Sequence, residues 1–196
     1  MIKLPPIVLA SGSPRRAEIL TSVGWEFTRV VPDIDESERD GESPEVYVQR
    51  LAQEKADAVT HMQTDAIVLA ADTTVVVEGA ILGKPNDLEH AREMLRILSG
   101  RWHDVLTGVA VCKNGVTSVG LERTGVKFVE MNAAEVEFLA RKGDPLDKAG
   151  AYAVQAQAAL FIEQIRGDYW NVVGLPISLV YRLLNRSTRT LITRQL

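Results

Sequence analysis

The stretch His103-Asp-Val-Leu-Thr-Gly-Val-Ala-Val-Cys-Lys-Asn-Gly-Val-Thr117 decides the fold class. Val105, Thr107, Val109 and Val111 alternate with a period of two, the spacing of side chains that share one face of a strand. Asn114-Gly115 follows, the dipeptide that most readily accepts the backbone of a two-residue hairpin turn. Residues 117–131 then read as a long returning strand. An antiparallel pair therefore sits in the middle of the chain.

Outward from this hairpin, strands and helices are mixed. On the C-terminal side, Asn132 with Glu135 three residues on predicts a capped helix ending near Gly143. Residues 161–165 alternate again, and Pro176 opens a terminal helix through Leu179, Val180, Leu183 and Leu184. On the N-terminal side, Ile7-Val-Leu-Ala10 is a buried strand running into Ser11-Gly-Ser13, and Pro14 suits the first helical position with Ser13 as N-cap. Ser43-Pro44 starts a second helix by the same logic, reaching about Thr60. Residues 67–77 form a second buried strand. Glu78-Gly79 turns the chain into residues 80–82, and Asp87 caps a helix with the stripe Leu88, Ala91, Leu95 and Leu98. The expectation is one α/β domain over residues 1–185, a mixed sheet flanked by helices in two lobes around a cleft. A basic C-terminal tail, 186–196, follows it.

Composition narrows the function. Of 196 residues, 46% are apolar and 24% charged, which is globular rather than disordered composition. The balance of 22 basic and 26 acidic residues gives a formal charge of −4, which argues against a partner held by nucleic-acid phosphates. No stretch approaches the ~18 apolar residues of a membrane span, and the N-terminus lacks the order of a signal peptide. The single cysteine, Cys112, excludes an internal disulfide framework and fits a reducing compartment, so a cytoplasmic location is expected. His61, His90, His103 and Cys112 show no metal-ligand spacing.

Several residues break structural rules. Arg15 and Arg16 occupy the first turn of a helix, where a cation opposes the macrodipole at a cost of about 0.3–1 kcal/mol each. Two solvated arginines would explain them; so would a bound anion, since Ser11-Gly-Ser13 exposes backbone N–H groups at a helix N-terminus. Lys55 falls on the stripe Val48, Leu51, Ala52 and Val59, where it must snorkel, pair or meet an anion. Asp72 interrupts a buried strand. Such an acid is a structural ion-pair member, a base or a metal ligand. Glu36, in the acidic loop before the second helix, is a second candidate metal ligand. Lys84 lies between a glycine and a proline, Lys148 follows Asp147, and Gln155 stands among alanines. As a set these suit a metal–polyphosphate ligand carrying a base: cations for phosphates, carboxylates for a metal, an amide for the base edge.

The same residues fall into blocks. Leu9-Ala-Ser-Gly-Ser-Pro-Arg-Arg-Ala-Glu-Ile-Leu20, Ala71-Asp-Thr-Thr-Val-Val-Val77 with Gly83-Lys-Pro85, Asp147-Lys-Ala-Gly-Ala-Tyr152 and Gly167-Asp-Tyr-Trp-Asn-Val-Val-Gly-Leu-Pro176 resemble the signature blocks of the Maf family. The resemblance implies the fold shared with inosine-triphosphate pyrophosphatases, and conversion of a nucleoside triphosphate to a monophosphate and diphosphate. It further implies a divalent cation, Mg2+ or Mn2+, and a homodimer. The third block with Gln155, and the intact Arg15-Arg16 block, resemble the branch acting on dTTP and UTP rather than the branch acting on 7-methyl-GTP. Carried over by position, Asp72 matches the family's proton acceptor, and Arg15, Thr73 and Gln155 its specificity positions. Lys55, Lys84 and Lys148 match its cationic positions, and Ser11, Ser13 and Arg16 complete the expected phosphate set. Ala156 and Ala158 stand where the family usually has glycines. The alternative is a nucleotide-binding regulator of septum formation with little turnover, since the family has been associated with that inhibition.

Overall fold

The computed structural model describes residues 4–61 and 66–193, with side chains described as far as Asn185. Two compact units share the chain: the described parts of Met1–Asp72, Thr107–Glu122 and Gly174–Leu196, and then Thr73–Leu106 with Arg123–Val173. Hydrogen bonding orders the strands β2-β1-β3-β5-β6-β7, with β4 paired to β3.

In the first unit, β1 (Ile7–Ala10) runs parallel to β2 (Phe27–Val30) and to β3 (Val68–Val77). Parallel neighbours need crossovers, and α1 (Pro14–Ser22) and α2 (Pro44–Thr60) supply them. Pro14 takes the first turn of α1 as expected, but Ser13 caps nothing with its side chain; its backbone N–H instead donates to Ser11 Oγ at 3.1 Å. In α2 the Ser43 hydroxyl does accept from the Val46 N–H. One core cluster joins Val8, Ala10, Val68 and Ala70 to Ala52, Ala56 and Val59 of α2, together with Ala110 and Cys112.

Those last two residues belong to β5 (Trp102–Lys113), which turns at Asn114-Gly115 into β6 (Val116–Phe128). Both turn residues have positive φ, 50° and 73°, as a hairpin turn of this length requires. The returning strand ends at Phe128, three residues short of the expected end. Val105 through Cys112 are all buried, so this part of β5 is covered on both faces. The intervening positions are Leu106, Gly108, Ala110 and Cys112, apolar or absent side chains that tolerate cover on both faces. Gly108 shows how close that cover comes: a Cβ there would lie 2.2 Å from the Val48 carbonyl oxygen of α2. The terminal helix α6 (Ile177–Thr193) sets Leu179 and Leu183 against Gly120 of β6. It covers much of the stretch expected to be a tail, of which 194–196 lie outside the described residues.

In the second unit, the far half of β3 pairs antiparallel with β4 (Ala80–Leu82), and β6 pairs antiparallel with β7 (Ile162–Arg166). The helices α3 (Leu88–Leu98) and α4 (Ala133–Lys142) are in contact, and they bury Met94, Leu95 and Leu98 on the one and Val136, Leu139 and Ala140 on the other. Asn132 and Glu135 form the expected reciprocal capping box. Three 3-10 turns between residues 145 and 160, and the short α5 (Tyr169–Val173), carry no periodic signal in the sequence. The sheet is mixed and helices flank it, as expected.

Candidate active site

The first unit assembles its polar residues where β1 and β3 meet α1 and α2. Ser11, directly after β1, is buried, and its hydroxyl accepts from the Ser13 N–H and from Arg16 Nη1, both at 3.1 Å. Arg16 is turned inward despite its charge. Nε donates to the Gly174 carbonyl at 2.8 Å, and burial pulls the guanidinium pKa down while the Asp72 carboxylate holds it up. One of its donors thus braces the loop after β1, and another ties α1 to the segment before α6. Arg15, one residue earlier, is only half-buried.

Lys55 pairs. Its ammonium donates to Asp72 Oδ1 at 2.6 Å and lies 2.7 Å from Glu36 Oε1. The lysine is buried because α2 presents it on the apolar stripe, and Asp72 is buried because it lies in the middle of a core strand. Glu36 arrives from the acidic loop with its side chain half exposed. Burial pushes the Asp72 carboxyl up; Lys55 and Arg16 oppose that push, and Glu36 adds to it. The same field reaches Tyr47, whose hydroxyl is raised to about 12 by burial first and then by Asp72, Glu36 and Glu38. Two carboxylates thus converge on one ammonium.

Among the described residues no group of three or more His, Cys, Asp or Glu side chains could hold a metal. A Mg2+-type ion needs fewer, because it binds through one or two carboxylates plus phosphates and water. Asp72 and Glu36, both within 2.7 Å of the Lys55 ammonium, make such a pair.

The second unit holds the remaining candidates. Thr73 follows Asp72 on β3 and is half-buried; Lys84 is exposed. Lys148 is buried, and its ammonium donates to the Asp144 carbonyl, to Asp147 Oδ1 and to Asp144 Oδ2, the last at 3.2 Å. The Gly150 N–H donates to the Gly83 carbonyl at 3.1 Å, which ties the Lys148 loop to the Lys84 loop. Gly150 sits at φ 68° against Val75, and Ala151 follows at φ 64°, a left-handed backbone that alanine rarely takes. Tyr152 is then locked by His103, whose Nε2 lies 2.7 Å from its hydroxyl, with Phe128 edge-on to both rings. Gln155 is exposed a few residues on. Sequence reasoning missed Tyr47 and Arg50 in the first unit and the His103–Tyr152 contact in the second. Apart from Glu54, one turn along α2 from Arg50, the hydrogen-bond partners of these side chains lie eight or more residues away in the chain, beyond the reach of short-range spacing.

A family model described as Maf-like protein matches residues 6–187. A protein of Symbiobacterium thermophilum named dTTP/UTP pyrophosphatase is 47% identical over 92% of this chain and 93% of its own length. Proteins of the same name from Salmonella typhimurium (48% identical, 91% of each chain) and Bacillus anthracis (45%, 92% of this chain and 94% of that one) match as well. Among solved structures, the Staphylococcus aureus Ham1 protein superposes with a TM-score of 0.55 at 16% identity, covering 93% of this chain and all of that one. That likeness is one of fold.

Proposed function

Because the chain belongs to the Maf family, we propose that it is a nucleoside triphosphate pyrophosphatase that hydrolyses dTTP and UTP to the monophosphate and diphosphate. The observation that carries the chemistry is the convergence of Asp72 and Glu36 on Lys55. Asp72 is the general base: Lys55 takes Oδ1, so Oδ2 accepts the proton of the attacking water, and burial makes that carboxylate more basic. The water oxygen bonds to phosphorus, the bridging bond between the α- and β-phosphates breaks, and diphosphate leaves. Asp72 and Glu36 would hold a divalent cation, which when bound offsets phosphate charge.

Lys55 and Arg15 meet the charge that develops on the phosphates, and Ser11, Ser13 and Arg16 shape the loop at the start of α1 that receives them. Lys84 and Lys148 are read as cationic positions, with the Asp144 and Asp147 contacts holding Lys148 in place until substrate arrives. Arg15, Thr73 and Gln155 select the base. Residues 1–185 act as one catalytic domain with 186–196 appended, working in the cytoplasm, and pairing into a homodimer is part of the same reading. No helix among the described residues is long and apolar enough to cross a membrane.

The test is a panel of dTTP, UTP, CTP and 7-methyl-GTP with Mg2+ or Mn2+, read by diphosphate release. Release from dTTP and UTP is expected. Tight binding with no diphosphate from any nucleotide would favour the regulator of septum formation instead.

A further inference from the structure

We propose that Arg50, assisted by Tyr47, is a positioning residue that holds the loop before α2 so that Glu36 stays beside Lys55 and Asp72; this rests on the reading of Glu36 as a cation ligand. The need for such a brace is plain from the backbone. Residues 31–42 contain neither helix nor strand, so no regular backbone hydrogen-bond ladder orders them. Left alone, a half-exposed glutamate on such a loop would sample many positions, and its ordering would have to be repeated at each binding event.

Arg50 supplies the order through one guanidinium used on three partners. Nε and Nη2 grip Glu42 in a fork at 2.6 and 2.7 Å, at the loop's far end. Nη2 also donates to the Ser37 carbonyl at 3.0 Å, the residue next to Glu36. Nη1 meets Glu54 at 3.1 Å one turn along α2, which fixes the guanidinium itself to the helix. The Arg50 and Glu42 side chains are only 11% and 6% exposed, so this is a packed fork rather than a surface pair. Tyr47, on the same face of α2, donates to the Glu36 carbonyl at 3.0 Å. Arg50 also lies over the Tyr47 ring, 5.6 Å from its centroid. Asp35 closes the turn by accepting from the Ser37 N–H and hydroxyl at 2.9 and 2.6 Å. The Glu36 backbone is therefore held at its own carbonyl by Tyr47 and at the next carbonyl by Arg50, while its carboxylate meets Lys55 of the same helix.

That division of labour has a consequence that packing alone does not. Arg50 affects function through Glu36, so removing Glu36 should make Arg50 dispensable. The experiment compares Arg50→Met, Tyr47→Phe, Glu36→Gln and the Glu36→Gln/Arg50→Met double variant in the full chain. It reads Mn2+ affinity by electron paramagnetic resonance without turnover, hydrogen exchange of residues 31–43, and Mg2+ half-saturation of diphosphate release. Arg50→Met should weaken Mn2+ binding about tenfold or more and speed exchange of 31–43 about tenfold, with exchange of 44–60 unchanged. Tyr47→Phe, which removes only a hydroxyl, should move both in the same direction by a smaller factor and covers the case in which Arg50→Met folds poorly. The double variant should bind Mn2+ no worse than Glu36→Gln. Impaired Glu36→Gln with unimpaired Arg50→Met and Tyr47→Phe would overturn the positioning role, as would losses that multiply in the double variant. A silent Glu36→Gln would instead remove Glu36 from the cation site, and the proposal with it.

Discussion

At the scale of single residues, the division between chemistry and recognition makes two expectations. Asp72→Asn keeps the shape of the side chain and leaves Lys55 its Glu36 partner, so the variant should fold, losing some stability because a buried ammonium has lost one of two counter-charges. Its activity should fall by several orders of magnitude, since an amide cannot take the water proton; wild-type turnover in a folded Asp72→Asn protein would dismiss it as the base. Gln155 makes the second case. Thymine and uracil present N3–H and O4 side by side, which one amide can satisfy with its acceptor and donor. Cytosine offers a bare N3 and an amine there, leaving groups unpaired at about 1–3 kcal/mol each. UTP and dTTP should therefore outpace CTP strongly, and Gln155→Ala should shrink that ratio while Mn2+ affinity is kept. An unchanged UTP-to-CTP ratio would mean that the base is read elsewhere. Among candidate site residues, the sequence made legible those that violate a local rule: Asp72 inside a strand, Lys55 inside an apolar stripe. Arg50 violates nothing, because an arginine on a half-exposed helix face is ordinary until its partners are known.

At the scale of elements, turns and caps were the readable features because their signals are local. Asn114-Gly115, Ser43-Pro44, Asp87 and the Asn132–Glu135 box each act within four residues, and each marks an element end in the structure. β2 was not legible, since its Phe27-Thr-Arg-Val30 is short and its pairing with β1 is what makes it a strand. Gly108 joins the two kinds of information. A glycine within a strand signals close approach of another backbone, and here α2 takes that space. Gly108→Ala should thus cost about 1–3 kcal/mol or more, seen as a lower urea midpoint, because the clash is with backbone and not with a side chain that can swing away. Gly115 would be a poor control, its φ being 73°. Gly83→Ala, at ordinary φ with nothing near its missing Cβ, should leave the midpoint within about 0.5 kcal/mol. Equal midpoints for the two variants would mean that α2 can move off β5 at no cost.

At the scale of the whole molecule, stability should depend on pH through a group that the sequence presents as an unremarkable histidine. His103 is 3% exposed, and burial depresses its pKa to about 4 from an ordinary 6.5. Its Nε2 is shared with Tyr152, and Nδ1 has no hydrogen-bond partner among the described residues. A cationic ring would bury a second N–H with nothing to receive it. The unfolded chain binds a proton near pH 6.5 while the folded chain resists it down to about 4, so the unfolded state holds more protons throughout that interval. Stability therefore falls as pH drops from about 6.5 to about 4, and this contribution is complete below the lower value. Its full size is of order 3 kcal/mol. Carboxylates held low by arginines, such as Glu137 between Arg92 and Arg141 at about 2 from an ordinary 4.5, add their loss between those two values. The two effects are separate above about pH 4.5. Urea unfolding at pH 7.5, 5.5 and 4.5 should show the first decline in the wild type, and His103→Leu should flatten it whatever that substitution costs at pH 7.5. Parallel declines in the two proteins would assign the acid lability to other groups.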